Sequence, residues 1–285
     1  MKLPLQVDLN NKVVVVTGGT GVLGNIWVDA LVASRAKVAL LGRDQDQLDA
    51  KVEEILANDG MAIAVKADIL SKEDLVKAHK IVLDKLGPCD ILLNGAGGNH
   101  PKGNTSKEYL YEEDLNNKDE NVTTFFDLDE DGIRFVFDLN FLGTFLPSQE
   151  FAKDMVGRSG CTIINISSMN AYTPLTKIPA YSGAKSAVSN FTEWLAVHLS
   201  KVGIRVNGLA PGFFLTAQNE ALLLNEDGTY TERSNKILNS TPMERFGKPE
   251  ELVGALLFLA SEEASSFVNG VVLPIDGGFS AYSGV

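Results

Sequence analysis

The feature that most constrains the fold is an apolar run that leads directly into a glycine-rich turn. Residues 12–17 read KVVVVT, and residues 18–24 follow at once as GGTGVLG. A nearly continuous β-branched run is typical of a parallel strand covered by helices on both faces. Gly19, Gly21 and Gly24 satisfy G-x-G-x-x-G, which permits a tight turn and brings a pyrophosphate to a helix N-terminus. Alone the pattern fits any tight strand–helix turn, but between a strand and a helix it predicts a dinucleotide site.

Strand and helix patterns alternate along the rest of the chain. Apolar runs at 37–42, 61–66, 90–94, 161–167, 203–209 and 271–275 predict six further strands with helical patterns between them. This alternation indicates an α/β protein. We predict a Rossmann-type, doubly wound sheet of seven mainly parallel strands, in the order 3-2-1-4-5-6-7, with helices on both faces. We treat residues 1–285 as a single domain.

The charge of the chain limits its partners. The 285 residues are 45% hydrophobic and carry a formal net charge of −12. This balance argues against nucleic acid or an anionic membrane as a partner. An acidic small-molecule substrate would need a local group of cationic side chains.

Cysteine, histidine and hydrophobicity patterns predict a cytoplasmic protein without a metal. Cys89 and Cys161 precede predicted strands and offer no disulfide framework. The three histidines are not spaced with other ligands as a metal set. No stretch approaches the ~20 apolar residues of a membrane span, and the start of the chain lacks the apolar core of a signal peptide.

A tyrosine and a lysine form the candidate catalytic pair. Tyr181 and Lys185 share one face of a predicted helix, and Ser168 ends the strand predicted before it. A free phenol, with a pKa of about 10, is a poor acid–base catalyst near neutrality. We expect the ammonium of Lys185 to lower the pKa of Tyr181, while Ser168 holds a carbonyl oxygen beside the phenol. The spacing alone would suit a solvated helix pair, and it is the strand-end serine and the N-terminal turn that favour catalysis.

In these residues the chain resembles the short-chain dehydrogenase/reductase family. Ser168, Tyr181 and Lys185 match the catalytic residues of that family. Asn140, in a long helix predicted over 132–155, matches the asparagine that kinks this helix and holds a relay water. The resemblance implies hydride transfer between a nicotinamide and a carbinol or carbonyl carbon. It also implies a homo-oligomer, a dimer or a tetramer, because the tail 279–285 resembles tails that pack on a neighbouring subunit.

The resemblance further implies an NAD(P)H site. The implied contacts are Gly18, Gly19, Gly21, Val22, Leu23, Gly24, Arg43, Asp68, Ile69, Asn94, Gly95, Ala96, Gly97, Tyr181, Lys185, Pro211, Gly212, Phe214 and Thr216. Val22 replaces the Gly or Ala that is usual with this catalytic pair, so the turn looks like that of the branch containing epimerases. Gly42 followed by Arg43 resembles members that bind a 2′-phosphate, which favours NADP, although Asp44 would suit NAD.

Two segments flank the predicted site. Residues 98–129 form a long polar insertion after the fourth strand, and loops of this length are often functional. Residues 213–247 are predicted to form a lid over the substrate. The candidate substrate contacts are Ser168, Asn170, His100, Lys102 and Lys177, with Asn219, Arg233, Lys236 and Arg245 as further candidates in the lid. For the charged residues an ordinary solvated position is an equal alternative.

The chain also resembles one subgroup, the bacterial D-mannonate oxidoreductases of the short-chain type. The resemblance rests on the segments NGAGGNHPK, FFDLDEDG, SSMNAYTPLTKIPAYSGAK and AYSGV. It implies that the substrate is a sugar acid, with interconversion of D-fructuronate and D-mannonate. Three alternatives stay open: a reductase of another polyol or keto acid, such as gluconate 5-dehydrogenase; an epimerase or dehydratase that retains NAD; and a non-catalytic nucleotide sensor. The intact set of serine, tyrosine and lysine argues against the sensor.

Overall fold

A seven-stranded sheet forms the centre of the fold. The structure is a computed structural model that describes residues 6–116, 121–216 and 219–284. The strands are β1 (Val13–Thr17), β2 (Lys37–Gly42), β3 (Met61–Lys66), β4 (Ile91–Asn94), β5 (Cys161–Ile166), β6 (Ile204–Pro211) and β7 (Val272–Ile275). They run in the order β3-β2-β1-β4-β5-β6-β7, and each neighbouring pair is parallel. The predicted fold class and strand order are confirmed.

Helices cover both faces of this sheet. They are α1 (Val22–Ala33), α2 (Gln45–Ala57), α3 (Lys72–Lys85), α4 (Glu112–Asn116), α5 (Glu130–Phe137), α6 (Gly143–Met155), α7 (Pro179–Leu199), α8 (Glu220–Leu223), α9 (Glu232–Asn239), α10 (Val253–Ala260) and α11 (Glu262–Ser265). In the described part of the chain, every helix falls short of the length or apolar character needed to cross a bilayer.

The central strand contributes to two apolar cores, one on each face. In β1, Val14 and Val16 belong to the core under α1 and α10, whereas Val13 and Val15 belong to the core under α3, α6 and α7. All four side chains are at most 3% exposed. Burying a side chain of this size contributes ~1.5–3 kcal/mol. Burial on both faces explains why the strand reads as a continuous apolar run.

The long helix predicted over 132–155 begins earlier and is interrupted. It starts with α5 at Glu130, and a π-helical turn, Asp138–Leu142, separates α5 from α6. Within this turn, Nδ2 of Asn140 donates to the carbonyl of Val136 (2.8 Å) and to that of Gly98 (2.7 Å). The helix is therefore irregular at the one turn where Asn140 bonds the start of the insertion. Such π turns are frequent at functional sites.

The described parts of the insertion, residues 98–116 and 121–129, pack against loops at the carboxyl edge of the sheet. A 3₁₀ turn, Pro101–Gly103, begins it, and a second, Phe125–Asp127, precedes α5. The N–H of Thr105 donates to the carbonyl of Lys177 (2.9 Å), which lies just before α7. The insertion is thus attached to the segment that leads into the candidate catalytic helix.

Candidate active site

The glycine turn after β1 fits a pyrophosphate. Gly18 has a φ of +71°, and a Cβ at Gly24 would lie 2.1 Å from the carbonyl oxygen of Gly18, so both positions require glycine. The N-cap of α1, Gly21, provides no side-chain hydrogen bond, whereas Asp44 and Ser71 cap α2 and α3. The first N–H groups of α1 therefore have no side-chain acceptor from the cap, which leaves them available to an anion.

The loop after β2 carries an unpaired cation and an engaged carboxylate. Arg43 is exposed and pairs with no acidic side chain among the described residues. Asp44 uses both of its oxygens on α2, where Oδ1 accepts from the N–H of Gln47 (3.2 Å) and Oδ2 from its side-chain amide (2.9 Å). Of the two charged groups, the guanidinium is the more available to a ligand.

Asn94 fixes the middle of the sheet below the site. Its Nδ2 donates to Oγ of Ser148 (2.9 Å) and to Oδ1 of Asn165 (2.8 Å), which joins β4 to α6 and β5. The N–H of Ala96 donates to Oγ1 of Thr17 (3.2 Å). These bonds hold the loop 94–97 against the carboxyl end of β1, beside the glycine turn. Asp68 and Ile69 follow β3 at the same edge.

The loop after β6 completes this edge. The N–H of Gly212 donates to the carbonyl of Ile275 (2.9 Å). Phe214 is 6% exposed and its ring packs within the protein, so this residue presents little of its side chain to a ligand. Asn219 closes the loop, because its Oδ1 accepts from the N–H of Thr216 (2.9 Å) and its Nδ2 donates to the carbonyl of Phe214 (2.8 Å). Both polar atoms of the Asn219 side chain are thus engaged by the backbone of its own loop.

Asn140 and Lys185 meet at the backbone of the loop after β4. Oδ1 of Asn140 accepts from the N–H of Gly98 (3.2 Å). A Cβ at Gly97 would lie 2.7 Å from that oxygen and 3.1 Å from Nζ of Lys185, so glycine is needed for the close approach. Nζ of Lys185 donates to the carbonyl of Ile166 (2.8 Å), and the lysine is 4% exposed. Residues from β5, α7 and the π turn thus converge at one point.

Burial governs the charge states of the candidate catalytic pair. Desolvation lowers the pKa of Lys185 to about 8. Burial also raises the pKa of Tyr181, and a hydrogen bond with Ser168 opposes this rise. Nζ of Lys185 lies over the tyrosine ring, 5.6 Å from its centroid. The expectation that Lys185 lowers the pKa of Tyr181 is therefore wrong for this structure, because desolvation of the phenolate dominates.

Comparison with known proteins assigns a family to this arrangement. Residues 12–227 match the model of the short chain dehydrogenases. The chain belongs to the short-chain dehydrogenase family. The predicted family resemblance is confirmed, and membership makes the protein an NAD(P)-dependent oxidoreductase that acts on CH–OH groups.

Relatives of this short-chain dehydrogenase match it along its length. An uncharacterised oxidoreductase from Haemophilus influenzae is 55% identical over 285 residues, which cover 100% of this chain and 99% of the relative. An uncharacterised oxidoreductase, UxuB, from Bacillus subtilis is 50% identical over 283 residues, with 99% and 100% coverage. A crystal structure from Haemophilus influenzae, provisionally named a D-mannonate oxidoreductase and holding NAD, has a TM-score of 0.94 and 54% identity, and each chain is covered fully.

A cavity of about 630 Å³ lies next to the segment that leads into α7 of this dehydrogenase. It is lined by that segment, by α9 of the predicted lid, by the insertion and by the C-terminal turn. Its charged side chains are Lys177, Arg233, Lys236, Glu108 and Glu232. Its size suits a small-molecule ligand. The three cations were candidates from the sequence, but Glu108 was missed, because nothing in the sequence indicates that the insertion reaches α9.

The other candidate substrate residues occupy different places. Asn170 is 4% exposed, and its Oδ1 has no hydrogen-bond partner in the described ranges. Nδ1 of His100 accepts from the N–H of Lys102 (3.2 Å), and Nζ of Lys102 is exposed and pairs with Asp129 at 3.8 Å. Arg245, the remaining candidate in the lid, pairs with Glu251. Of the sequence-predicted cations at 100, 102 and 177, the structure brings Lys177 to the cavity.

Proposed function

We propose that this dehydrogenase interconverts a keto sugar acid and its alcohol, and that the natural pair is D-fructuronate and D-mannonate. The observation that carries the proposal is a cavity with three cationic side chains beside the segment leading to Tyr181, in a chain of net charge −12. Local cations against an acidic background favour an anionic substrate. The full-length similarity to the Haemophilus structure named as a D-mannonate oxidoreductase supports the same substrate class.

In this proposal Tyr181 is the general acid of reduction and the general base of oxidation. It gives its proton to the substrate oxygen when a ketone is reduced and takes it back when the alcohol is oxidised. Burial raises the pKa of this tyrosine, which keeps the phenol in the protonated form that reduction requires. Ser168, which acts on the pKa of the phenol and therefore lies beside it, donates its single O–H to the same substrate oxygen when substrate is bound and holds that oxygen next to the proton.

Lys185 and Asn140 act behind the tyrosine. The ammonium of Lys185 has three donors and spends one on the carbonyl of Ile166, which leaves donors for the nicotinamide ribose. With a pKa of about 8, this lysine can accept and release protons near neutrality. The side-chain amide of Asn140 is engaged by Gly98 and Val136. A relay water would therefore use the second lone pair of the backbone carbonyl of Asn140, which also accepts from Oγ1 of Thr144 (2.8 Å).

The cofactor, when bound, supplies or accepts hydride, and the protein binds and orients it. We assign the pyrophosphate to the glycine turn 18–24 and the adenosine side to Arg43, Asp68 and the loop 94–97. The unpaired guanidinium of Arg43 and the engaged carboxylate of Asp44 favour a 2′-phosphate, and hence NADP. The NAD in the Haemophilus structure supports use of NAD as well.

Steady-state oxidation of NADH and NADPH with D-fructuronate and with 5-keto-D-gluconate tests the proposal. We expect the higher kcat/KM with D-fructuronate, and we expect Tyr181→Phe to lower kcat by ~10²–10⁴-fold. Faster turnover of 5-keto-D-gluconate would instead indicate a gluconate 5-dehydrogenase. Retained cofactor without net turnover would indicate an epimerase or dehydratase, and a fully active Tyr181→Phe variant would exclude the proposed chemistry.

A further inference from the structure

The cavity beside α7 holds more cations than anions. Lys177, Arg233 and Lys236 contribute positive charge, and Glu108 and Glu232 contribute negative charge. This local excess is opposite in sign to the net charge of the chain, which is −12. A pocket of this kind concentrates anionic ligands and discriminates against neutral molecules of the same shape.

The three cations differ in what they contact. Nζ of Lys236 lies 3.2 Å from Oε1 of Glu108 and 3.5 Å from Oε1 of Glu232. In the ranges that the structure describes, the side chains of Arg233 and Lys177 form no ion pair. Two of the three cations are therefore ready for an external carboxylate, while the third already holds one that the insertion supplies.

The backbone at Lys177 is also held by the insertion. Its φ is +71°, which is uncommon for a residue with a side chain and persists when the surroundings fix it. The hydrogen bond from the N–H of Thr105 to the carbonyl of Lys177 (2.9 Å) provides such a restraint. The insertion thus contacts both walls of the cavity, through Thr105 at the segment before α7 and through Glu108 at α9.

We propose that Arg233, Lys236 and Lys177 bind the carboxylate of the substrate, and that Glu108 occupies Lys236 until the substrate arrives. The inference rests on the proposed sugar-acid function. In such a substrate the carboxylate lies several carbon–carbon bonds from the reacting carbon, so an anion site apart from Tyr181 is needed. A guanidinium binds a carboxylate through two parallel hydrogen bonds, which makes Arg233 the main contact.

In this proposal the carboxylate of Glu108 occupies the position at Lys236 that the carboxylate of the substrate later takes. Exchanging one carboxylate for another at Lys236 changes the charge around that lysine little, so binding energy comes chiefly from the two unpaired cations. A neutral polyol has no carboxylate to replace that of Glu108 at Lys236, and it leaves Arg233 and Lys177 without an anionic partner. The insertion would therefore set both the affinity for acids and the rejection of neutral analogues.

The test compares D-mannonate with D-mannonamide, its neutral amide, as substrates for oxidation. Arg233→Gln should lower kcat/KM for D-mannonate by ~10-fold or more, the loss expected for a hydrogen bond to a charged group. Lys236→Gln should lower it less, because Lys236 only exchanges the Glu108 carboxylate for that of the substrate. The same variants should change kcat/KM for D-mannonamide less than about twofold, because the amide carries no charge to lose. Lys77→Gln, an equal change of charge on the exposed face of α3, should affect neither substrate.

Glu108→Gln tests whether the carboxylate of Glu108 competes with that of the substrate for Lys236. We expect a lower KM for D-mannonate with kcat retained, because Lys236 loses the closer of its two carboxylate partners and keeps only Glu232, at 3.5 Å. An unchanged or higher KM would overturn this part of the inference. Thermal unfolding of each variant checks that the fold is intact, and the exposure of these side chains makes that outcome the expected one.

The wild-type protein separates failure of this inference from failure of the proposed function. If it oxidises D-mannonate and the variants lose activity equally on both substrates, or lose none, the carboxylate site is wrong and the function stands. If it oxidises neither substrate, the proposed function fails. Calorimetric titration with D-gluconate then decides the inference alone, since binding that Arg233→Gln removes supports the site and no binding to the wild type overturns it.

Discussion

At the scale of single residues, burial acts in opposite directions on the pKa values of the two candidate catalytic side chains. It raises the pKa of the Tyr181 phenol and lowers the pKa of the Lys185 ammonium to about 8, because the charged form is the disfavoured one in each case. Their position on one helix was predictable from the sequence, since their spacing is local. Their charge states were not, because burial depends on segments distant in the chain, including Gly97 and Ile166.

Lys185 should destabilise the folded protein at neutral pH. Its pKa is about 8 in the folded state against the ordinary lysine value of 10.5, so the cost is fully present below pH 8 and disappears above pH 10.5. Lys185→Met should therefore raise the free energy of unfolding, relative to the wild type, by about 2 kcal/mol more near pH 7 than near pH 9.5. The lost bond to Ile166 affects both values equally and cancels in this difference.

Urea unfolding of the two proteins at both pH values measures this difference. Lys201→Met, at an exposed position after α7, is the matched control and should show no comparable dependence on pH. A gain at pH 9.5 equal to that at pH 7 would mean that the lysine keeps an ordinary pKa in the folded protein.

At the scale of elements, the strands were more predictable than the interrupted helix. The inner strands β1, β2, β4, β5 and β6 are apolar runs buried on both faces along most of their length, and a local sequence pattern indicates this. Asn140 in the π turn bonds Gly98, which lies 42 residues earlier, so no local pattern could reveal the interruption, and only the family resemblance implied a kink at Asn140. The position of the insertion was similarly hidden, because its contacts with Lys177 and Lys236 involve residues far along the chain.

The π turn gives the second prediction. Asn140→Ala removes two buried donor bonds and leaves the carbonyl of Gly98 without this partner, so the free energy of unfolding should fall by about 2–4 kcal/mol. Activity should fall as well, since the loop at Gly97 borders Nζ of Lys185. Chemical denaturation and steady-state kinetics measure the two effects.

Asn58→Ala is the control for the π turn. Its Nδ2 also donates to a backbone carbonyl, that of Glu54 (2.8 Å), but at an exposed helix end. This change should stay within ~0.5 kcal/mol and leave the kinetics unchanged. Equal losses from both variants would mean that the buried position of Asn140 adds nothing to the fold.

At the scale of the whole molecule, the carboxyl ends and the amino ends of the strands carry different groups. The carboxyl ends of the strands carry the glycine turn, the loop 94–97 and the candidate catalytic residues, as expected for an open α/β sheet. The amino ends carry a buried ionic group instead. Asp90 accepts from the N–H of Val13 (2.8 Å) and pairs with Arg158 and Lys12, which ties β1 and β4 to the end of α6.

This difference between the amino and carboxyl ends of the strands predicts that stability and activity can be changed separately. Arg158→Met removes the closer cation from Asp90 and the hydrogen bond to the carbonyl of Cys89 (2.8 Å). Because Asp90 is buried and only the more distant Lys12 remains, at 3.7 Å, the free energy of unfolding should fall by about 1–3 kcal/mol. At a temperature where the variant is folded, its kcat/KM should match the wild type within about twofold, since the side chain of Arg158 bonds Cys89, Asp90 and Asp154, away from the carboxyl edge.

The matched control is Arg134→Met, which breaks an ion pair with Glu130 on the exposed face of α5. Solvent screens this pair, so its loss should leave the unfolding transition almost unchanged. Denaturation curves together with kinetics on the proposed sugar acid separate the possibilities. If Arg158→Met lowered kcat/KM as strongly as it lowered stability, the amino ends of the strands would be coupled to the site, and the division of the sheet into a supporting end and a catalytic end would be wrong.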